Sequence, residues 1–192
     1  MTLPDPTALV IIDVQNAIDD PTHWGPGRNN PLLEQNLLAL LSAWRKRGWP
    51  VYHVQHLSVE WDSPYRPGQI GCEFKLEVEP RAGEELIQKT TNSAFIGTDL
   101  EARLRERCHH TLVVTGVITN NSVEATVRMA GNLGFDVFVP ADAAATFEKK
   151  DVRGQIWSAD DVHSLSLANM HGEYATVTDV TAVLAGINAI DT

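Results

Sequence analysis

The sequence predicts an α/β fold in three layers: a six-stranded, mostly parallel sheet in the order 3-2-1-4-5-6, with helices on both faces. Three observations carry this. Apolar runs alternate with helical patterns along most of the chain. The runs are continuous rather than alternating, as in strands covered on both faces. Gly and Pro punctuate the boundaries between them. The chain has no internal repeat or low-complexity segment, and its 192 residues suit a single domain, 1–192, with a sizeable core.

The elements follow in order. Ala8–Ile12 is the first strand and ends at Asp13. Pro31 suits the first turn of a helix, Leu33, Leu37, Leu40, Leu41 and Trp44 recur at helical spacing, and Gly48 closes it. Val51–Val54 is the second strand. Residues 58–83 hold several Pro and Gly without periodicity, which marks a long functional loop or a lid. Glu85–Gln88 is a short third strand. Thr98 and Glu101 form a capping-box pattern ahead of Leu100 and Leu104. Leu112–Thr115 is the fourth strand, ending at Gly116. Ser122–Leu133 reads as a helix stopped by Gly134, and Phe135–Val139 as a fifth strand stopped by Pro140. Ser158 with Asp161 caps a helix that carries Val162, Leu165, Leu167 and Met170. Ala175–Val177 is a sixth strand and Val180–Ala185 a last helix.

Composition narrows the function. The chain has 25 Asp and Glu against 15 Lys and Arg, a formal net charge of −10 with His neutral. That opposes general nucleic-acid binding and docking on anionic lipid, and suits a protein that handles small molecules. Two cysteines, Cys72 and Cys108, make neither a disulfide framework nor a zinc cluster. MTLPDPTALVIIDVQ has no basic segment leading into an apolar one, and no run approaches ~18 apolar residues, so a cytoplasmic protein with reduced thiols is expected.

Parallel sheets of this kind place ligands beyond the carboxyl ends of their strands, at the switch point between strands 1 and 4. This directs attention to Asp13 and to Gly116–Ser122. Asp13 is a helix cap in the plain reading and a general acid or base in the sharper one. Ser122 is an N-cap in the plain reading. In the sharper one it sits where N–H groups favour a developing anion. Lys89 is either a solvated surface charge or a partner that holds a carboxylate ionised. His53 and His56 lie on opposite faces of a strand, so a shared metal is not expected from that pair. His163 and His171 suit structural roles. Trp61, Tyr65, Arg66 and Phe74 line a pocket or form the long loop's own apolar cluster. No G-x-G-x-x-G, Walker A, G-x-S-x-G or H-E-x-x-H pattern is present, so no cofactor is expected.

Taken together, ALVIIDVQ (8–15), KTTNSAFIGTDLE (89–101), VVTGVITNNSVEATVRMAGNLGFDV (113–137) and HSLSLANMHGEYATV (163–177) resemble the isochorismatase-like hydrolase superfamily, in the family's order. RPGQIGCEF (66–74) is similar to a loop of its cysteine-hydrolase branch. The resemblance implies a homo-oligomer, a dimer or tetramer, and an Asp–Lys–Cys triad that cleaves a C–N bond of a small amide or ureido compound. It assigns the base to Asp13, the lysine to Lys89 and the nucleophile's place to Ser122. It also implies a cis peptide at Val117–Ile118 that turns the Ile118 N–H toward the site, beside that of Ser122, as an oxyanion hole. Trp61, Tyr65, Arg66 and Phe95 are expected to bind substrate. The stretch after strand 2 does not match the family's metal-binding branch, so no metal is expected.

Ser122 departs from the pattern. A thiol near pKa ~8.5 ionises readily beside a lysine, whereas a hydroxyl depends on an adjacent base. Three accounts fit: a serine engineered in place of cysteine, giving an inactive form; a natural variant of altered activity; or an isochorismatase-type vinyl-ether hydrolase, which works without the cysteine. The intact cysteine-branch pattern around Ser122 favours the first. A non-catalytic small-molecule binder is the competing class.

Overall fold

A computed structural model of the chain describes residues 3–189. Its strands, in chain order, are β1 (Ala8–Ile12), β2 (Val51–His56), β3 (Glu85–Lys89), β4 (Thr111–Val117), β5 (Asp136–Pro140), β6 (Ala144–Ala145), β7 (Lys149–Lys150), β8 (Ile156–Trp157) and β9 (Thr176–Thr178). The helices are α1 (Pro21–Trp24), α2 (Leu33–Arg47), α3 (Leu100–Glu106), α4 (Glu124–Asn132), α5 (Ala159–Met170) and α6 (Val180–Asn188).

The main sheet has the order β3-β2-β1-β4-β5-β9, with β6 paired to the end of β4, and all its pairs are parallel. The expected order is therefore found, with β9 in the sixth place. Two short features lie outside the expectation: β6, and the antiparallel β7–β8 hairpin. At two residues each they leave no periodicity to read.

The apolar run of β1 divides by alternation. Leu9 and Ile11 join the core beneath α2 and α6. Ala8, Val10 and Ile12 join the core beneath α3, α4 and α5. Burial on both faces explains why the strand carries no polar residue. Helix α2 ends at Gly48 in the left-handed conformation, φ 64°. Ser158 caps α5 by accepting from the Asp161 N–H.

Two local expectations are corrected. The capping box at Thr98 and Glu101 does not form, because the Thr98 hydroxyl donates to the Ala94 carbonyl at 2.5 Å and Glu101 pairs with Arg105. The helix expected from Ser122 begins as a π-helical turn, Thr119–Val123, and becomes α-helical at Glu124. Such turns recur at functional positions.

The segment 57–84 crosses the carboxyl ends of the strands. It is tied there by Asn16 N–H to the Glu73 carbonyl at 2.9 Å and by Lys75 N–H to the Val14 carbonyl at 3.1 Å. Its own Tyr65, Cys72 and Val78 are buried. Among the described residues, no helix is long and apolar enough to cross a membrane.

Candidate active site

The carboxyl ends of β1, β3 and β4 bring three distant residues together. Asp13 follows β1 and is buried, with φ 52°, a left-handed conformation that few residues other than Gly adopt and that Asp tolerates. Lys89 is the last residue of β3 and is 2% exposed. Ser122 lies in the π-helical turn after β4. The Lys89 ammonium donates to Asp13 Oδ2 at 2.6 Å, to the Thr91 carbonyl at 3.1 Å and to Ser122 Oγ at 3.4 Å. All three of its protons thus have acceptors, which makes the burial of this cation tolerable.

Burial is the largest influence on Asp13 and raises its carboxyl above the ordinary range, although Lys89 and the Ser122 hydroxyl favour the charged form. Its second oxygen, Oδ1, is buried without a hydrogen-bond partner. An unpaired carboxylate oxygen in a cleft is a site for a proton.

The turn that carries Ser122 is held from both sides. Thr119 Oγ1 bonds His163 Nδ1 at 2.8 Å, while His163 Nε2 donates to the Ala141 carbonyl at 3.0 Å. Ser166 Oγ reaches the Thr119 carbonyl at 3.2 Å. Gly116 lets β4 lie close to β1 here: its φ is 111°, and a Cβ would sit 2.2 Å from the Ile12 carbonyl oxygen. The Val117–Ile118 peptide that follows is cis.

Asp13, Ile118, Asn121 and Ser122 line a cavity of about 240 Å³. His23, Trp24, His56 and Tyr65 form further walls, and Ser58, Glu60, Asp62 and Ser63 stand on the 57–84 segment above. Burial, with Lys89 nearby, pushes the His56 imidazole down to about 4, so it is neutral near pH 7. Burial likewise raises Tyr65, which stays a neutral phenol.

Of the residues expected to bind substrate, Tyr65 lines this cavity. Trp61, Arg66 and Phe95 do not. Trp61 is 81% exposed, and Arg66 spends its Nη1 on the Trp61 carbonyl at 2.8 Å. Phe95 packs instead on Phe135, with ring centroids 5.8 Å apart. Phe74 stacks edge-on against His53 at 5.9 Å, away from the cavity. His53 is buried and bonds Glu84 at 2.7 Å. The sequence reading missed His23 and Trp24, which lie in no motif; Asn92 and Asn121 fall within the segments 89–101 and 113–137 but were not singled out as lining residues. Among the described residues, no three His, Cys, Asp or Glu side chains converge to hold a metal ion.

The isochorismatase domain model matches residues 7–182. The chain belongs to the isochorismatase family. It is 43% identical over 170 residues to the isochorismatase family protein YrdC of Bacillus subtilis, spanning 88% of this chain and 90% of that one. A crystal structure of an isochorismatase-family hydrolase from Chromobacterium violaceum superposes with a TM-score of 0.95 at 55% identity, covering 98% of this chain and 97% of that chain. Three relatives have named activities. Streptothricin hydrolase of Streptomyces noursei is 34% identical over 73% of this chain and 50% of its own length. Nicotinamidase 3 of Arabidopsis thaliana is 28% identical over 90% of this chain and 84% of its own length. Ureidoacrylate amidohydrolase RutB of Pseudomonas savastanoi is 29% identical over 82% of each. This isochorismatase-family hydrolase is thus similar to two proteins named as amide-cleaving enzymes, a nicotinamidase and an amidohydrolase.

Proposed function

We propose that the protein hydrolyses a C–N bond of a small amide or ureido compound, with Ser122 in the nucleophile's place, Asp13 as base and Lys89 as the group that orients it. The observation that carries this is the Lys89 ammonium bridging Asp13 and Ser122 at the floor of a small cavity. The amidohydrolase names among the relatives point the same way.

The steps balance. Asp13 takes the Ser122 hydroxyl proton as Oγ bonds the substrate carbonyl carbon. The oxyanion rests on the N–H groups of Ile118 and Ser122. Asp13 passes the proton to the leaving nitrogen as the C–N bond breaks. Water then gives a proton to Asp13 and its hydroxide to the acyl carbon. As the bond from that carbon to Oγ breaks, Asp13 returns the proton to Oγ, releasing the acid and restoring both the Ser122 hydroxyl and the Asp13 carboxylate. The raised carboxyl of Asp13 makes it a stronger base than a free Asp, but a serine remains a harder nucleophile to ionise than a thiol. The Ser122→Cys form is therefore the faster enzyme. The test is release of ammonia or amine from a panel of small amides and ureides by both forms. Equal rates would defeat the reading.

A second reading is vinyl-ether cleavage, favoured by the same raised Asp13 carboxyl, which holds a proton to higher pH than an ordinary Asp. It predicts isochorismate cleavage by the protein as it stands, lost in Asp13→Ala. The protein acts without a cofactor or metal in this proposal, and as a dimer or tetramer.

A further inference from the structure

The charges around the cavity are unbalanced. At its floor Asp13 and Lys89 cancel as a buried pair, with Asp13 Oδ1 left without a partner. Above them two more carboxylates, Glu60 and Asp62, line the same cavity. Among the described residues neither forms an ion pair, and no Lys or Arg lines the cavity. Two histidines also line the cavity: His56, which is neutral near pH 7, and His23, whose ring packs edge-on against Trp24 and Tyr65. The remaining walls include two aromatic rings, Trp24 and Tyr65, packed edge to face at 6.1 Å. Carboxylates beside aromatic faces form a setting that attracts a cation and repels an anion. The overall charge of −10 adds to the same field.

We propose that the cavity selects small amides that carry a positive charge, with Glu60 and Asp62 receiving the cationic end while the carbonyl lies at Ser122. This rests on the amide-hydrolase reading above and adds its substrate class. The cavity's size fits a short molecule, because about 240 Å³ lies below the usual range for drug-sized ligands, ~300–1,000 Å³.

Three probes of matched length test it: 4-aminobutanamide, which is cationic at pH 7, neutral pentanamide, and anionic succinamate. Binding to the protein as it stands is followed by ligand-observed NMR, and ammonia release is followed with the Ser122→Cys form. The expected result is a preference of about tenfold for the cation over the neutral amide, what two exposed ion pairs supply together, with the anion weakest. The ratio falls toward one in Glu60→Gln/Asp62→Asn and at high salt, which screens exposed charges. Equal affinities, a ratio that survives the double substitution, or no binding of any probe would overturn the proposal. Hydrolysis without charge preference removes this proposal and leaves the amide reading standing. Charge-ordered binding without hydrolysis removes the amide reading and upholds only the cavity's preference for a cation.

Discussion

The side chain of Gln15 holds both backbone groups of His56: Oε1 accepts the His56 N–H at 2.8 Å, and Nε2 donates to the His56 carbonyl at 2.9 Å. The same Nε2 donates to the Cys72 carbonyl at 2.8 Å. A fully buried amide thus stands in for a strand and joins β1, β2 and the 57–84 segment beside the cavity. Gln15→Ala would take the side-chain partner from both His56 backbone groups, at about 1–3 kcal/mol for a buried polar group left unpaired, while the Cys72 carbonyl keeps the Gln55 amide at 2.9 Å. At about 2–4 °C per kcal/mol for a chain of this size, the melting temperature should drop by several degrees. Calorimetry checks this, and an unchanged transition would show that water replaces the amide.

Lys89→Met should be costlier. It leaves Asp13 buried without its cation, and removing one partner of a buried pair costs about 3–5 kcal/mol. Asp13→Asn/Lys89→Met should recover much of that loss, because no charge is left buried. Urea unfolding of the two single variants and the double variant measures the coupling. Simple additivity would contradict the pairing.

The pH dependence of the Ser122→Cys form should show the state of Asp13. The base must be ionised, and burial raises its carboxyl above the ordinary value of ~3.9. As pH falls through that raised value, the base is protonated and kcat/KM declines. The acid limb should therefore have its midpoint above that of a free Asp.

Acid should weaken the fold through two other carboxylates. Burial pushes Glu84 up, but Arg45, the Arg81 N–H and His53 outweigh it and hold the group at about 2. Glu34, bonded to Arg28 and Lys75, lies at about 2 for the same reason. Both are below their ordinary value of 4.5, so the unfolded chain binds more protons between those limits. Their contribution is present above about pH 4.5 and fades as pH falls toward 2. The urea midpoint should drop between pH 7 and pH 3, and Glu84→Gln should flatten the drop.

Gly116→Ala tests the approach of β4 to β1. An alanine meets both an unfavourable φ and the Ile12 carbonyl, so the strands must part. A loss of more than about 1 kcal/mol is expected, with reduced activity in the Ser122→Cys form.

The sequence carried the central strands β1 and β4 well because both are buried along their whole length, and a continuous apolar run leaves few alternatives, whereas the edge strands β3 and β9 are partly exposed and give a weaker signal. Parallel topology pointed to Asp13 and to the Gly116–Ser122 stretch because it fixes where strands end, while Lys89 and the grouping of the three residues came from the family resemblance. The cavity walls were harder. Trp24 sits on a four-residue helix and Glu60 on an irregular segment, and their placement depends on contacts across the chain. Trp61 and Arg66 resemble pocket residues in composition, yet a local bond to the Trp61 carbonyl turns Arg66 away from the cavity. The π-helical turn at Ser122 was invisible because its residues suit an ordinary helix start equally well.

The fates of the two cysteines have a practical consequence. Cys72 is buried on the inner side of the 57–84 segment, where burial raises its thiol, whereas Cys108 is open to solvent. A thiol reagent at neutral pH should label one group quickly and the other only as the fold opens. The Ser122→Cys form adds a third thiol beside the Lys89 ammonium, and its labelling rate should stand apart from both. The native chain thus supplies its own blank: whatever reactivity the new thiol shows above that of Cys108 measures how strongly the site activates a nucleophile, before any substrate is known.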